Sequence, residues 1–490
     1  MTSNPEPIVQ QLQHEFQNLL AYVTGPEARS QTTYTVELTL FRRLLALGAA
    51  LLRLFFVMRA AVRPTEPVTA PDGTRLTYHD QRPTTYYSVF GKVRFWRHCF
   101  TAPGQESLCP LDAELSLPAR CYSDLLQEWA VYGTTDESYR ESQTMLECIL
   151  GLSLSVQTLE TCVTEAGADV TTFYAQPADP TAPIPAGTIL VVQADGKGVP
   201  MVQPPTQRPP GRLGKGQKRG KKKEAVVTAL YTIAPYPRTP QAVVAALLQE
   251  PEGPAPAARP RAEGKELRAT LEGKAVAMRH LAERVAQREG PSIQERVALT
   301  DGAEALQEQL GTHFPEHTLV LDIIHATEYL WDAANALLGE THPQRVAWVR
   351  AYLEALLAGQ TDAVITALEA EGKDPTWTGT QRQAVRRTAG YYQRNRPYMH
   401  YDEYLARGWP IGTGVVEGAC GHLVKDRMEQ SGMRWRKAGA QAVLDLRAVR
   451  LNRHWDRYWQ FHRQQKHQRL YGTPAPVPER AEGQALEWAA

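Results

Sequence analysis

Two apolar runs, each followed by an Asp-Gly pair, most constrain the fold of this chain. Residues 188–195 read TILVVQAD, and residues 296–300 read RVALT just before Asp301. Asp195 and Asp301 are each followed by glycine. A nearly continuous apolar run of this length is typical of a strand whose two faces are both covered by other elements. The sequence therefore predicts a buried sheet with an aspartate at the ends of two strands.

Further strands and helices are predicted around these two runs. Residues 225–233 (AVVTALYTI) and 318–324 (TLVLDII) predict strands, the second of which runs into His325. Residues 263–288 predict one long amphipathic helix, and residues 303–310 predict a shorter one. Strands and helices that alternate in this way predict an α/β core.

The rest of the chain is predicted to be mainly helical. Residues 6–23 and 36–63 predict helices. The apolar run 38–62 predicts a core or dimer helix rather than a membrane span, because four arginines interrupt it. Residues 326–407 predict further helices, and about 438–465 predict a last helix that is cationic and aromatic.

A hairpin and a helix-turn-helix pattern lie between the N-terminal helices and the sheet. Residues 84–100 contain two β-rich runs around a Gly-Lys pair at 91–92, which is a hairpin signal. The segment LGLSLSVQTLETCV has a helix, a short Gly/Ser break and a second helix started by serine, with Gln157, Thr158 and Thr161 on the exposed face. DNA-binding units and plain helical bundles share this pattern, and the bundle is the more common case.

The bulk composition limits the class of protein. A chain of 490 residues is expected to hold two to four domains. Its 43% hydrophobic and 22% charged residues are those of an ordinary soluble protein. Six cysteines without regular spacing, and a start without a signal sequence, predict a reduced, cytoplasmic setting. Cys99 and Cys109 resemble a remnant of a zinc ribbon, but one pair of thiols cannot supply four zinc ligands.

Cations are concentrated locally although the net charge is only +1. Residues 207–223 hold eight Lys/Arg and no acid, and their glycines and prolines predict a mobile loop that binds the DNA backbone. A second group of cations follows Glu417. The candidate DNA-binding residues are Arg208, Arg212, Lys215, Lys218, Arg219, Lys221, Lys222, Lys223, Lys425, Arg427, Arg434, Arg436 and Lys437.

Glu417 lies in an unusual stretch, residues 404–435. Prolines and glycines before it disfavour helix, and Thr413 is placed to cap a helix that begins around Val415. Glycines within this helix cost roughly 1 kcal/mol each relative to alanine. Such a helix presents a thin face on which a ligand can approach one carboxylate closely. The alternative is a surface glutamate on a tightly packed helix.

The order of Asp195, Asp301 and Glu417 along the chain matches an RNase H-like core. In that core two acids lie at the ends of adjacent strands and a helix laid across them supplies the third. Three carboxylates suit Mg²⁺ or Mn²⁺, and two such ions support phosphodiester chemistry. Each acid also has a purely structural interpretation: an Asp-Gly turn, a capping box with Glu304, or a first-turn acid favoured by the helix dipole.

These patterns predict six segments. They are residues 1–83 (helices and connector), 84–175 (hairpin and helical DNA-binding region), 188–325 (first part of the RNase H-like core), 326–409 (helical insertion), 410–470 (the Glu417 helix and a basic helix) and 471–490 (a flexible tail).

Four segments of the sequence resemble the ISKra family of bacterial insertion-sequence transposases, which are DDE enzymes related in layout to the Mutator-like group. The segments are VVQADGKG, ALTDGAEAL, LVLDIIHATEYLWDAANAL and PIGTGVVEGACGHLVKDRMEQSGMRW. The resemblance implies that Asp195, Asp301 and Glu417 form the DDE triad, with Asp322 and His325 matching a further D-x-x-H motif. His325 is either a satisfied histidine at the core edge or a residue that orients a phosphate, water or carboxylate, and the supporting role is preferred over direct metal ligation.

The resemblance also implies an activity, a cofactor and partners. The expected activity is metal-dependent cleavage at transposon ends, followed by attack of the freed 3′-hydroxyl on target DNA, with about two Mg²⁺ or Mn²⁺ ions. The expected partners are double-stranded DNA (terminal inverted repeats and target) and further copies of the chain in a homodimer or higher oligomer, without a membrane. The alternatives are an RNase H-like nuclease or resolvase without strand transfer, and an inactive DNA-binding relative.

Overall fold

The structure is a computed structural model, and it describes residues 5–70, 72–177, 187–203, 222–250, 258–430 and 432–472. The chain is mixed α/β and forms two compact units. Unit 1 contains residues 1–169 and 455–490, and unit 2 contains residues 170–454. Among the described helices, none has both the length and the apolarity that a membrane crossing requires.

Unit 1 begins with a helical pair and a β-hairpin. Its first elements are α1 (Glu6–Thr24), α2 (Pro26–Arg29), α3 (Thr33–Ala60), β1 (Thr77–Ser88) and β2 (Gly91–Thr101). The two predicted N-terminal helices are confirmed, and so is the hairpin, since β1 and β2 pair antiparallel. The hairpin turn lies at residues 89–90, before the predicted Gly-Lys pair, and β1 begins earlier than predicted.

Further helices of unit 1 follow the hairpin. They are α4 (Pro110–Glu114), α5 (Asp124–Asp136), α6 (Tyr139–Leu150) and α7 (Val156–Gly167), followed by α8 (Val170–Ala175), which opens unit 2. The helix–break–helix pattern is confirmed: Gly151, at φ +67°, ends α6, and the Ser155 hydroxyl caps α7 by accepting the N–H of Thr158. Gln157 is exposed as predicted, but Thr158 and Thr161 are only partly exposed.

Cys99 and Cys109 form a disulfide in unit 1. Cys99 lies on β2, and Cys109 immediately precedes α4. Bonded sulfurs are not available as zinc ligands, so this pair does not form a zinc site in the structure. A disulfide is not what the predicted reduced setting leads one to expect. The other four cysteines, Cys121, Cys148, Cys162 and Cys420, are free.

Unit 2 is built on a five-stranded mixed sheet. In chain order its first elements are β3 (Ile189–Pro200), β4 (Lys222–Ile233), α9 (Pro240–Leu247), β5 (Glu263–Thr270), α10 (Lys274–Arg288), β6 (Glu295–Thr300), α11 (Glu304–His313) and β7 (Thr318–Leu321). The strand order is β5-β4-β3-β6-β7. The pairs β5–β4 and β4–β3 are antiparallel, whereas β3–β6 and β6–β7 are parallel. The central strands β3 and β6 are buried, as their apolar runs predict.

The predicted long helix over residues 263–288 is wrong in its first third, which forms the edge strand β5. Tertiary contacts explain the difference. Glu266 is buried in this strand, where the Arg284 guanidinium on α10 donates to both carboxylate oxygens at 2.8 and 2.9 Å. Pairing with β4 satisfies the strand backbone, so a charge-rich segment that suits a helix locally becomes a strand.

Two predicted strand ends are also corrected. β3 does not end at Asp195 but continues to Pro200, because residues 222–227 of β4 extend alongside it and Asp195 pairs with Val227. The Asp-Gly pair is therefore neither a strand end nor a hairpin turn. β7 ends at Leu321, and Asp322 caps the next helix, so that His325 is helical rather than the residue after a strand.

A helical block and the Glu417 segment follow the sheet. The elements are α12 (Ile323–Leu338), α13 (Gln344–Leu357), α14 (Thr361–Glu371), α15 (Gly379–Asn395), a 3-10 turn (Arg396–Tyr398), α16 (Tyr401–Ala406), α17 (Gly414–Ala419), a π-helical turn (Cys420–Lys425), α18 (Asp426–Met428) and α19 (Lys437–Leu451). Helical structure over residues 326–407 is confirmed. These helices share one apolar core with β3, β6 and β7.

The predicted last helix over about 438–465 is two helices, α19 and α20 (Trp455–Tyr471). Asn452 explains where α19 stops. Its side chain accepts from the N–H of Leu267 at 2.8 Å and donates to the same residue's carbonyl at 2.9 Å, which holds the chain against β5. Arg453 then takes a left-handed conformation, at φ +60°, and breaks the helix.

Candidate functional site

The parallel register of β3 and β6 brings two of the predicted acids together. Gln193 on β3 is the register partner of Leu299 on β6. Extending that register by two residues places Asp195 beside Asp301. Neighbouring strands lie about 4.8 Å apart, so this register, continued past the end of β6, puts the two aspartates next to each other although more than a hundred residues of sequence separate them.

The next strand pair adds a third aspartate to the row. Thr300 on β6 is the register partner of Leu321 on β7, so Asp301 and Asp322 are the residues that follow the two strands side by side. The Asp301 carboxylate accepts the N–H of Ala303 at 2.9 Å in a local turn, so the capping box with Glu304 does not form. The carboxyl ends of β6 and β7 therefore carry Asp301 and Asp322 side by side.

Gln193 attaches the Glu417 helix to the sheet. Its side-chain oxygen accepts the N–H of Val416 at 2.9 Å, and its nitrogen donates to the Tyr231 hydroxyl at 2.9 Å. Gln193 is fully buried, and it lies on the same face of β3 as Asp195 because side chains two residues apart share a face. Helix α17 is thereby laid over the strand that carries Asp195.

Asp195 contacts the turn that follows Glu417. The Cys420 thiol lies 3.3 Å from Asp195 Oδ2 and donates to it, and the Gly196 N–H lies near Asp195 Oδ1. Burial, together with the charge of Asp195, raises the pKa of the Cys420 thiol above its usual range, so the thiol keeps its proton. Cys420 follows Glu417 by about one helical turn. The hydrogen bond from Cys420 to Asp195 therefore brings the segment that carries Glu417 next to the strand that carries Asp195.

The face of this helix is thin, as the glycines predict. A side chain added at Gly418 or Gly421 would meet no atom within 4 Å, so open space borders the helix there. The helix widens to a π-helical turn at Cys420–Lys425, a distortion that is frequent at functional sites. A ligand can therefore approach the Glu417 backbone without displacing side chains.

Asp322, His325, Thr413 and Glu417 form a hydrogen-bonded cluster next to this row. His325 Nδ1 lies 2.6 Å from Asp322 Oδ2 and 3.9 Å from Glu417 Oε1. Asp322 is fully buried, and its Oδ1 accepts the backbone N–H of Ile324 and that of Thr413. Glu417 is the open member of the cluster, since 39% of its side chain is exposed.

The Thr413 hydroxyl lies between two carboxylates. It is 2.9 Å from Asp322 Oδ2 and 2.6 Å from Glu417 Oε1, and a hydroxyl has only one proton to donate. Thr413 is the N-cap residue of α17, as predicted, but its hydroxyl contacts carboxylates rather than the N–H groups of the helix. Its contacts instead fix the position of Glu417 relative to Asp322.

His325 carries a positive charge at neutral pH. The hydrogen bond to Asp322 raises the pKa of His325 to about 9 against the effect of partial burial, and the charges of Glu328 and Asp301 act in the same direction. Since Asp322 holds Nδ1, the ring is oriented and Nε2 is left for another partner. This arrangement resembles a positioned donor more than an open metal ligand.

The donor atoms at this site fit a hard divalent cation. Among the described residues, Asp322, His325 and Glu417 are the compact group, with ligand atoms within 4.8 Å of one another. Asp195 and Asp301 lie outside that group. The oxygens of Asp322 already accept several protein hydrogen bonds, whereas Asp195, Asp301 and Glu417 are partly exposed. Carboxylate oxygens with access to solvent are the ligands that Mg²⁺ and Mn²⁺ prefer.

The candidate DNA-binding cations of unit 2 differ in their surroundings. Lys223, Lys425, Arg434 and Arg436 are exposed. Two others have acidic partners: Lys222 pairs with Glu429, and Lys437 pairs with Glu272 at 2.6 Å. The remaining candidates of the predicted basic loop, Arg208, Arg212, Lys215, Lys218, Arg219 and Lys221, lie outside the described residues.

The prediction that Arg427 is a surface cation is wrong. Its side chain is fully buried, with the guanidinium 4.8 Å from the centre of the Trp435 ring and Nη1 3.2 Å from Met433 Sδ. Arg447, on the helix predicted to be cationic, is likewise buried and donates to the Leu423 carbonyl at 2.9 Å. These two arginines hold the segment after Glu417 in place rather than facing a phosphate.

Sequence reasoning missed two residues of the site, Gln193 and Cys420. Gln193 had a recognisable signal, since it is the one uncharged polar residue within the apolar stretch ILVVQA, where a side-chain amide needs buried partners. Cys420 had none, because its contact with Asp195 depends on how α17 is laid over β3.

Comparison with models of known protein families gives no match, and comparison with curated protein sequences gives none.

Proposed function

We propose that this chain is a DDE transposase with an RNase H-like catalytic core. The observation that carries the proposal is that Asp195 lies on β3 in contact with the turn after Glu417, while Asp301 directly follows the neighbouring strand β6. The strand register supports the first pair, and the Gln193–Val416 hydrogen bond supports the placement of the helix.

The sheet order also supports this proposal. Three strands paired antiparallel are followed by two paired parallel; Asp195 lies on β3, and Asp301 directly follows the neighbouring strand β6. A block of helices separates β7 from the helix of Glu417, as an insertion between the second and third acids requires. These features agree with an RNase H-like core whose third acid follows an inserted helical domain.

Asp195, Asp301 and Glu417 are the residues proposed to hold Mg²⁺ or Mn²⁺. When bound, two such ions supply charge stabilisation for the attacking and leaving oxygens of a phosphodiester. The protein then has mainly to position the DNA and the acids. Cys420 restrains the Asp195 carboxylate, and Thr413 restrains the Glu417 carboxylate.

His325 is proposed to donate a hydrogen bond to a phosphate oxygen through Nε2. Asp322 holds the other ring nitrogen and keeps the ring cationic, which suits contact with an anion.

The proposed reaction has two steps. In the first step water attacks the phosphodiester at the transposon end and releases a 3′-hydroxyl. In the second, that hydroxyl attacks a target phosphodiester, forming one P–O bond as another breaks.

The test uses DNA that flanks the gene, placed at the end of a duplex together with a target plasmid and Mg²⁺. The wild-type chain is expected to nick the end and to join its 3′-hydroxyl to the plasmid. Asp195→Asn, Asp301→Asn and Glu417→Gln are each expected to abolish both products, and the triple variant to be no worse, because the acids act as one unit. Binding to the duplex, measured by gel shift, is expected to persist.

Glu304→Gln is the matched control, because Glu304 is an exposed acid three residues after Asp301. Under this proposal the Glu304→Gln variant is as active as the wild type. Nicks without joined product favour a nuclease or resolvase instead. Robust nicking by Glu417→Gln contradicts the assignment of the third acid and directs the search to Glu328, Glu403 and Asp426.

A further inference from the structure

Helix α3 exposes a row of apolar side chains on the surface of unit 1. The row, called the α3 stripe, consists of Phe41, Leu44, Leu51, Phe55, Met58 and, just past the helix end, Val62. Between 39% and 74% of the surface of each residue is exposed. A different face of the helix, with Phe56 and Ala60, packs on Phe95 of the hairpin. The stripe is therefore not part of the core of unit 1.

The spacing of the α3 stripe is that of a helix-pairing surface. Counting Gly48, its members follow one another at steps of three, four, three, four, three and four residues, which are the a and d positions of a heptad. At Gly48 the ring of Phe90 takes the space of a side chain, since an added Cβ would lie 2.6 Å from it. The apolar surface therefore runs from Phe41, about two turns before this glycine, to Val62, just past the helix end.

Helix α1 exposes a second apolar row with opposite charge around it. Its members are Val9, Phe16, Leu20 and Val23, at steps of seven, four and three residues. Helix α1 contains two glutamates and no Lys or Arg, whereas α3 contains four arginines and one glutamate. One copy of the chain therefore has an acidic helix, α1, and a basic helix, α3, and both expose apolar residues. In a pair of copies, the acidic helix of each copy is complementary in charge to the basic helix of the other.

We propose that the chain forms a two-fold dimer in which α1 and α3 of one copy pack against α1 and α3 of a second copy. The ten exposed apolar residues of the two rows lie on or next to these two helices, and a stable interface buries about 800 Å² per partner. A two-fold axis presents the same surface from both copies, as this self-complementary pair of helices requires. The dimer does not depend on the proposed chemistry of unit 2.

The test measures the mass of the full chain by sedimentation velocity without added nucleic acid. The wild type is expected at twice the mass of one chain. Leu51→Lys combined with Met58→Lys is expected to be monomeric, because four like charges then meet across the interface. Ala46→Lys, an exposed position of the same helix outside the α3 stripe, is the matched control and is expected to remain dimeric.

Both replaced residues are already exposed, so the lysines bury no charge within the chain, and thermal melting checks that each variant is folded. Leu44→Gln, a milder change, is expected to raise the dimer dissociation constant about tenfold. A wild-type chain that is monomeric at tens of micromolar, or a double-lysine variant that dimerises like the wild type, overturns the proposal. So does a monomeric wild type whose binding to lipid vesicles is lost in the double-lysine variant, since a membrane surface is then the partner.

Discussion

The side-chain oxygen of Gln193 accepts a hydrogen bond from the backbone N–H of Val416, the residue before Glu417, at 2.9 Å. The two residues are 223 positions apart in the sequence. Val416 belongs to the first turn of α17, where a backbone N–H has no partner within its own helix. A buried amide on the central strand thus satisfies the helix that carries the proposed third acid, and links its position to that of Asp195.

We expect Gln193→Met to weaken the binding of Mg²⁺ more than the binding of DNA. Methionine keeps the volume but leaves the Val416 N–H without its acceptor, at a cost of about 1–3 kcal/mol. The Glu417 carboxylate is then less well held, so the Mg²⁺ concentration needed for half-maximal nicking is expected to rise several-fold. A lower melting temperature with an unchanged Mg²⁺ titration contradicts this role and leaves Gln193 as a purely structural residue.

His325→Ala is expected to slow nicking by about 10²–10⁴-fold while the melting temperature and DNA affinity stay near those of the wild type. The reason is that the ring is held by Asp322 and carries its charge toward the site rather than filling the core. Asp322→Asn should also reduce activity, since it removes the charge that keeps the ring protonated.

His422→Ala is the matched control, because His422 is 77% exposed and belongs to the turn that follows Glu417. Its nicking rate should be close to wild type. If His325→Ala instead lowers the melting temperature by many degrees while activity per folded molecule is preserved, His325 has only a structural role.

The stability of unit 2 is expected to fall as the solution becomes acidic, in part through His317. Burial lowers the pKa of His317 from 6.5 to about 4, so the folded chain keeps this ring neutral where the unfolded chain protonates it. The contribution of the neutral His317 ring to the free energy of unfolding is fully present above pH 6.5. It is lost as pH falls from 6.5 toward 4, and the loss reaches up to about 3 kcal/mol. Denaturant melts between pH 4 and pH 7 measure this loss.

His317→Leu should flatten that pH dependence, because both ring nitrogens of His317 are buried without a hydrogen-bond partner among the described residues and the ring packs near Phe314. His342→Leu, at an exposed position, should leave it unchanged. Equal acid sensitivity in the wild type and in His317→Leu contradicts the prediction.

Arg427 and Arg436 are expected to differ although both were candidates for DNA contact. Arg427→Ala should lower the free energy of unfolding by about 2–4 kcal/mol, because it removes a buried side chain that packs on Trp435. Arg436→Ala should leave stability unchanged and reduce the slope of log affinity against log salt by about 0.9, the effect of one lost phosphate contact. A stable Arg427→Ala variant with a reduced salt slope contradicts this division.

The sequence predicted well those elements whose signal is local. The apolar runs that became β3, β4 and β6, and the helices of unit 1 and of residues 326–407, were found because burial of a strand or of one helix face leaves a period in the residues themselves. The glycines around Glu417 likewise predicted a thin helix, and the thin face is present. The sequence also presented Asp195, Asp301 and Glu417 as candidates, in an order that suits one site.

The tertiary structure decided what depends on partners distant in the chain. Residues 263–270 became a strand because β4 pairs with them and Arg284 neutralises the buried Glu266. Arg427 became a core residue because Trp435 folds back over it. The hydrogen bonds of Gln193 and Cys420 had no local sign of their partners, since the energy of a contact between distant segments is available only once the intervening chain has folded.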